Sequence, residues 1–344
     1  MLVVIWFNDR RIVRLLLAGG VFRLSPKQRS ERQSAPEVLL AEGLRRCGVD
    51  VTESPLEDLR RPLLDKSFDL VHVHHLSKAA LAASLSPLSR PMIFTEHGMP
   101  NSTSKHLQIA RRVIYSKSSG VVFLSNNEST LKLEEFDLDS NRTWVIPNPV
   151  VLAGASPVLR TLQDHQFRML YVGQLIRLKQ VDRIIRSLAV LPTAVTLEVI
   201  FHNDELLVEL TALAERLGVL ERIEFSGQLS GMQLVQAYEN ADVLLLPSQH
   251  EALPSVISEA LLTGLPIIAS DVGGIPEQVG DAGLLVPPDR EAPLHGYIEI
   301  LMRDYRRFAA AAFDSVPRRL MVLSPEHVAL EHLEMYETLL STRT

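Results

Sequence analysis

Residues Leu244 to Pro276 read LLLPSQHEALPSVISEALLTGLPIIASDVGGIP, and the rest of the chain is interpreted from this stretch. The run from Asp242 to Leu246 is rich in Val and Leu and short enough for a buried strand. Pro247 and Ser248 end it, and a polar loop with His250, Glu251, Leu253 and Pro254 follows. A helix is predicted from Ser255 to about Thr263, because Val256, Ile257, Ala260 and Leu261 fall on one helical face. Ser255 suits the N-cap, Gly264 the C′ position and Pro266 the stop beyond it. Ile267 to Ser270 is a second buried strand, and Asp271 to Pro276 a Gly-rich loop. Strand, loop, helix and strand make a βαβ unit, whose strands are parallel.

In a parallel sheet the loops at the strand C-termini face the ligand crevice. The loop Gln249 to Pro254 enters a helix N-terminus, where free N–H groups and the helix dipole attract an anion. Glu251 lies on that loop and Glu259 farther into the helix. A carboxylate repels a phosphate but accepts from sugar hydroxyls. A diphosphate at the helix end, with a sugar at Glu251 and a ribose at Glu259, fits the spacing. Taken alone, the two glutamates also fit solvated acids near a helix start.

The wider stretch from Pro247 to Glu277 carries P-S-x-x-E-A-L-P-S-V-x-x-E-A, then G-x-P-I-I-A-S-D-V-G-G-x-P-E. It resembles the E-x7-E region of glycosyltransferase family 4, retaining enzymes of the GT-B fold. The resemblance implies two Rossmann-like domains facing a cleft, a nucleotide diphosphate sugar as donor and no required metal. A second match begins at Gly173, where GQLIRLK stands for the family's G-R-L-x-x-x-K-G. Lys179 matches the family lysine, while Gln174 replaces the arginine and Gln180 the glycine. Lys179 would then meet the leaving diphosphate as a point charge, with Arg177 as a neighbouring cation. As bare residues, both also fit solvated side chains.

In the first half, the predicted strand from Arg11 to Ala18 runs into Gly19-Gly20. Paired glycines let a backbone approach a ligand, or simply turn. The motif is not G-x-G-x-x-G, so a dinucleotide fingerprint is absent. The loop after it carries Arg23, Lys27, Arg29 and Arg32, which suits phosphate, an anionic membrane or plain solvation. Asp69 to His75 reads as a strand with His72 and His74 on one face, but no Cys, Asp or Glu stands at metal-ligand spacing, so no metal is assigned. Met92 to Thr95 is a buried strand ending in Glu96-His97-Gly98, and the resemblance places His97 in the cleft as a donor-sugar or acceptor contact. Gly120 to Ser125 leads into Asn126-Asn127-Glu128, a segment often near acceptor or phosphate in the family. VIPNP at Val145 to Pro149 resembles the family's I-P-N-G, with Pro149 stiffening the joint.

The chain has 344 residues, 46% hydrophobic and 22% charged, enough for two domains. A net charge of −6 argues against a nucleic-acid partner. The single cysteine, Cys47, cannot form an internal disulfide, which fits a reducing compartment. No segment reaches the ~18–20 apolar residues of a membrane helix. Met1 to Phe7 is apolar but short, with no basic region before it, and reads as an extra strand or a poorly defined start rather than a signal peptide. One helix is expected from Pro293 to Ala312, and an amphipathic one from Pro325 to Leu340 that crosses back to the first domain, as the resemblance implies.

The expected organisation is an acceptor-side domain over 1–150, a linker over 151–165, a nucleotide-sugar domain over 166–322 and a returning helix over 323–344. The expected activity is transfer of a sugar from a nucleotide diphosphate sugar, UDP-linked first and GDP-linked second, to a glycan, lipid or small-molecule hydroxyl. Glu251, His97 and Lys179 are the expected catalytic residues, and Gly19, Gly20, Gln174, Arg177, Leu253, Pro254, Ser255 and Glu259 the donor-binding ones. The expected location is cytoplasmic, with peripheral contact at the inner membrane face as an option. Two rivals stay open: a GT-B nucleotide-sugar epimerase, and a non-catalytic scaffold.

Overall fold

The computed structural model describes residues 12–25, 35–59, 63–86, 90–97, 104–162, 166–289 and 293–342. The stretches at Met1 to Phe7, Lys27, Arg29, Arg32 and Gly98 singled out above lie outside these residues.

Two successive sets of strands form two six-stranded sheets, and every strand pairing is parallel. The first contains β1 (Arg14–Gly19), β2 (Asp50–Pro55), β3 (Leu70–His74), β4 (Met92–Thr95), β5 (Gly120–Phe123) and β6 (Thr143–Val145), in the order 2-1-3-4-5-6. Helices α1 (Pro36–Arg46), α2 (Lys78–Leu85), α3 (Lys105–Lys117) and α4 (Asn126–Phe136) connect them. The second contains β7 (Phe167–Val172), β8 (Val195–Ile200), β9 (Ile223–Gly227), β10 (Val243–Leu246), β11 (Ile267–Ser270) and β12 (Gly283–Val286), in the order 12-11-10-7-8-9. Helices α5 (Val181–Leu188), α6 (Leu207–Arg216), α7 (Met232–Asn240), α8 (Ser255–Leu262) and α9 (Ile275–Val279) link these strands. Helices on both faces bury the strands twice over, so β10 and β11 are fully buried.

The order of the second sheet reverses between β7 and β10, the point at which an open α/β sheet leaves a crevice at its strand ends. The loops after these two strands carry Lys179 and Glu251. The topology therefore brings together the two motifs that sequence separates by 72 positions.

Two sequence expectations change. Pro254, not Ser255, is the N-cap residue of α8, and no side chain caps this helix; Ser255 already takes the first helical position. The expected single helix from Pro293 to Ala312 is two: α10 (Leu294–Arg303) and α11 (Tyr305–Val322), broken at Asp304. α11 runs on through Pro317, and its buried residues Phe308, Ala309, Ala312 and Val316 form an apolar stripe that precedes the proline. The segment after Val151, read as a linker, packs against the second domain through Arg160. Arg160 is buried and donates to the carbonyl oxygens of Tyr238 (3.0 Å), Glu239 (2.7 Å) and Ala241 (2.7 Å).

The last helix, α12 (Pro325–Ser341), leaves the second domain and completes the first. Its Val328, Ala329, Met335, Tyr336 and Leu339 join the core of Leu15, Leu40, Leu44 and Ile93. Gly43 permits the approach of α1 to α12: a Cβ there would lie 2.2 Å from the carbonyl oxygen of Pro325. Among the described residues, no helix is long and apolar enough to cross a membrane.

Candidate active site

A cavity of about 600 Å³ lies between the two domains. Its second-domain wall includes Gln174, Ile176, Leu178 and Lys179 after β7, and His250 to Pro254 after β10. Lys179 and Glu251 meet here, the ammonium donating to Oε1 of the carboxylate. Both are largely shielded, with side chains 20% and 11% exposed, so the pair is not an ordinary surface contact. Ser248 donates to the same Glu251 oxygen at 2.7 Å, which fixes the carboxylate from its own loop. Gln174, which replaces the family arginine, faces His202 at 3.3 Å (Nε2 to Nε2).

Gln180 explains its own departure from the family pattern. Its φ of 51° is left-handed, the conformation that favours glycine. The buried side chain is held instead: its Nε2 donates to the Pro288 carbonyl (3.3 Å) and its Oε1 accepts from Arg183 (2.8 Å).

Gly273 closes the floor. Its φ is +55°, and a Cβ would sit 1.9 Å from the carbonyl oxygen of Glu251. The next residues clasp the first domain. The Glu277 carboxylate accepts from the backbone N–H and side-chain amide of Asn126 (3.1 and 3.0 Å) at the start of α4. Asn127 donates its side-chain amide to Gly273 O at 2.6 Å. A carboxylate at a helix N-terminus is electrostatically well placed.

The first-domain wall contains His97, Leu124, Glu128, Leu131, Lys132, Glu135 and Asn148. Behind His97 lies a histidine cluster at the ends of β3 and β4. His97 Nε2 shares a hydrogen bond with His74 Nδ1 at 2.7 Å, and His75 stacks on His97 with centroids 4.2 Å apart. His75 Nε2 meets Glu37 at 2.7 Å, and buried His72 is held by Tyr336 (2.7 Å) and Thr95 (2.6 Å). Desolvation, then the neighbouring rings, lowers His72 and His74 well below the usual histidine range. Burial lowers His97 to about 3 and His332 to about 4. The cavity thus sees a neutral imidazole at His97.

Of the sequence-predicted site residues, the structure gathers His97, Gln174, Lys179, Glu251, Leu253 and Pro254 around the cavity. Arg177 stands apart, 73% exposed and paired with Glu209 at 3.0 Å. Glu259 is buried in α8 and does not line the cavity; Tyr238 OH donates to it at 2.8 Å, and desolvation raises its pKa. Gly19 ends β1 beside Glu37 and Gly20 follows it beside His75, and neither lines the cavity. Sequence reasoning stopped at Glu128 and missed Leu131, Lys132 and Glu135. Their i+3, i+4 and i+7 spacing from Glu128, with the Ser125-x-x-Glu128 capping pattern, was the available signal.

Known proteins show the same organisation. The profile "Glycosyl transferases group 1" matches residues 160–313 and "Glycosyltransferase Family 4" matches 25–153. The D-inositol 3-phosphate glycosyltransferase of Rhodococcus jostii is 27% identical over 307 residues, 78% of this chain and 66% of the relative. The chain therefore spans about two thirds of that relative's length. The GDP-mannose-dependent alpha-mannosyltransferase of Mycolicibacterium smegmatis is 33% identical over 177 residues, 51% of this chain and 44% of the relative. Among solved structures, sucrose-phosphate synthase from Thermosynechococcus elongatus superposes with a TM-score of 0.77 at 19% identity, covering 96% of this chain and 100% of that one. Anabaena HepE in complex with UDP gives 0.74 at 18%, covering 95% and 100%. These two likenesses are of fold. With both sheets, both family profiles and the E-x7-E stretch in agreement, the chain belongs to glycosyltransferase family 4, enzymes of the GT-B fold.

Proposed function

We propose that this protein transfers a sugar from a nucleotide diphosphate sugar to an acceptor hydroxyl, with retention of configuration and without a metal. The observation that carries the reading is the meeting of Lys179 and Glu251 at the switch point of the second sheet, inside the inter-domain cavity. The diphosphate lies between Lys179 and the uncapped N-terminus of α8, whose first turn holds no acid. As the bond from sugar to phosphate breaks, negative charge grows on the diphosphate, and these fixed donors stabilise it more than they do the intact donor. Glu251 accepts from donor-sugar hydroxyls, held by Ser248. His97, neutral and fixed by His74, lines the sugar pocket. Glu259 is assigned to the ribose, with Tyr238 and Ser255 holding the carboxylate. Closure of the two domains over the bound donor excludes water that would otherwise intercept the sugar.

The acceptor is a glycan, lipid or small molecule entering from the first-domain side. Uridine is the first donor base to try and guanosine the second, the latter named in the M. smegmatis relative. The working location is the cytoplasm, including the inner membrane face. The test is thermal unfolding with UDP, GDP, ADP and their sugars. A ligand at 100 times its Kd adds ~2.7 kcal/mol. One base should raise Tm, and Glu259→Ala should abolish the rise. No shift with any nucleotide would overturn the reading.

A further inference from the structure

One face of α4 forms much of the first-domain wall. Glu128, Leu131, Lys132 and Glu135 stand at i, i+3, i+4 and i+7 and all line the cavity. Glu128 is only 9% exposed, and its Oε2 has no hydrogen-bond partner. Behind it, buried Glu96 is held by Arg111 (3.1 Å) and Tyr115 OH (2.8 Å). Burial first, then the Glu96 charge, pushes the Glu128 carboxyl up to about 7. Lys132 is committed to Glu135 at 2.6 Å.

We infer, resting on the glycosyl-transfer reading above, that this α4 face is the acceptor subsite and that it selects an uncharged polyhydroxy acceptor, with a hydroxyl as the missing partner of Glu128. A buried carboxyl oxygen that lacks a partner is costly, and a hydroxyl supplies both a donor and an acceptor. A phosphate in the same place would meet the carboxyls of Glu128 and Glu135. Among the described residues of this wall the cation is Lys132, already paired with Glu135. Lys179 lies on the opposite wall, where the donor diphosphate needs it. The relatives named for D-inositol 3-phosphate therefore differ from this chain in the acceptor they suit.

The test pairs each neutral acceptor with its phosphate: myo-inositol against inositol 3-phosphate, and glucose against glucose 6-phosphate. Octyl glucoside separates a lipid-like acceptor from a free one. The stabilising nucleotide sugar is the donor, and its nucleoside diphosphate the companion in binding assays. Neutral members should react with kcat/KM at least tenfold above their phosphates. Glu128→Leu should raise KM for the neutral acceptor about tenfold, Glu128→Gln should restore most of it, and Glu135→Lys should move the preference toward the phosphate. The nucleotide-induced Tm rise should stay unchanged in all three. A wild-type preference for the phosphates overturns the inference, as do variants that leave KM and preference unaltered. If no acceptor turns over, neutral acceptors must still add to the Tm of the nucleotide complex; no added shift also overturns it. Loss of the nucleotide shift itself would instead sink the glycosyl-transfer reading.

Discussion

The two domains share a doubly wound parallel sheet but build opposite kinds of cavity wall. The second domain offers a charged pair, Lys179 and Glu251, on loops that follow adjacent strands at the switch point. The first offers desolvated groups, His97 backed by His74 and His75 and Glu128 pushed up to about 7, beside a Lys132–Glu135 pair that is closed on itself. Fixed charge suits a diphosphate whose charge grows during reaction, whereas neutral hydrogen-bonding groups suit hydroxyls.

The largest expected effect comes from removing the charged side. Glu251→Ala should cut transfer at least ~100-fold, in the range of a lost preorganised polar contact, while the nucleotide-induced Tm rise survives. Retention of full turnover, measured by nucleoside diphosphate release, would break the assignment of ionic chemistry to this wall. Gly273→Ala probes the floor beneath it. The left-handed backbone alone costs ~1–3 kcal/mol, and the clash with the Glu251 carbonyl adds to it. Lower Tm and displaced Glu251 should appear together; an unchanged Tm would show that the floor can move.

The neutral side is sharpened by pH. In the folded protein His97 titrates at about 3 and His332 at about 4, both below the unfolded value of ~6.5. Between these limits the unfolded chain binds more protons than the folded one, so stability rises with pH. The contribution is complete above about 6.5 and is lost as pH falls toward 4 and 3. Tm measured from pH 7.5 to 4 should fall steeply, and His332→Phe should flatten part of the slope. An identical slope in that variant would remove His332 from the cluster's linkage. The smallest effect is expected at Arg177→Ala, where an exposed pair is worth ~0–1 kcal/mol. A turnover change beyond a few-fold would bring Arg177 back into the donor site.

Much of this was legible in the sequence, because it was local. Val243–Leu246, its loop and α8 declare themselves through an apolar run, a Pro-Ser stop and helical spacing within some twenty residues. Even Gln180 marked a glycine position, and the backbone there is left-handed. Failures came where packing outweighed local signals. The helix expected to run unbroken to Ala312 breaks at Asp304 and continues to Val322, with Tyr305, Phe308, Ala309, Ala312 and Val316 buried. Ser255 did not cap α8, because the preceding loop turns at Pro254.

The sequence by itself determined the parallel α/β architecture, the two domains and the residues of the charged wall. These follow from periodicity and from motifs whose parts act over one or two turns of chain. Tertiary structure alone decided which distant residues share a wall. Tyr336 holds His72 across 264 positions, Glu277 clasps Asn126 across 151, and Glu128 faces Lys179 only because the domains close on each other. Such contacts leave no local pattern. Their energy depends on desolvation and on partners that no single segment contains.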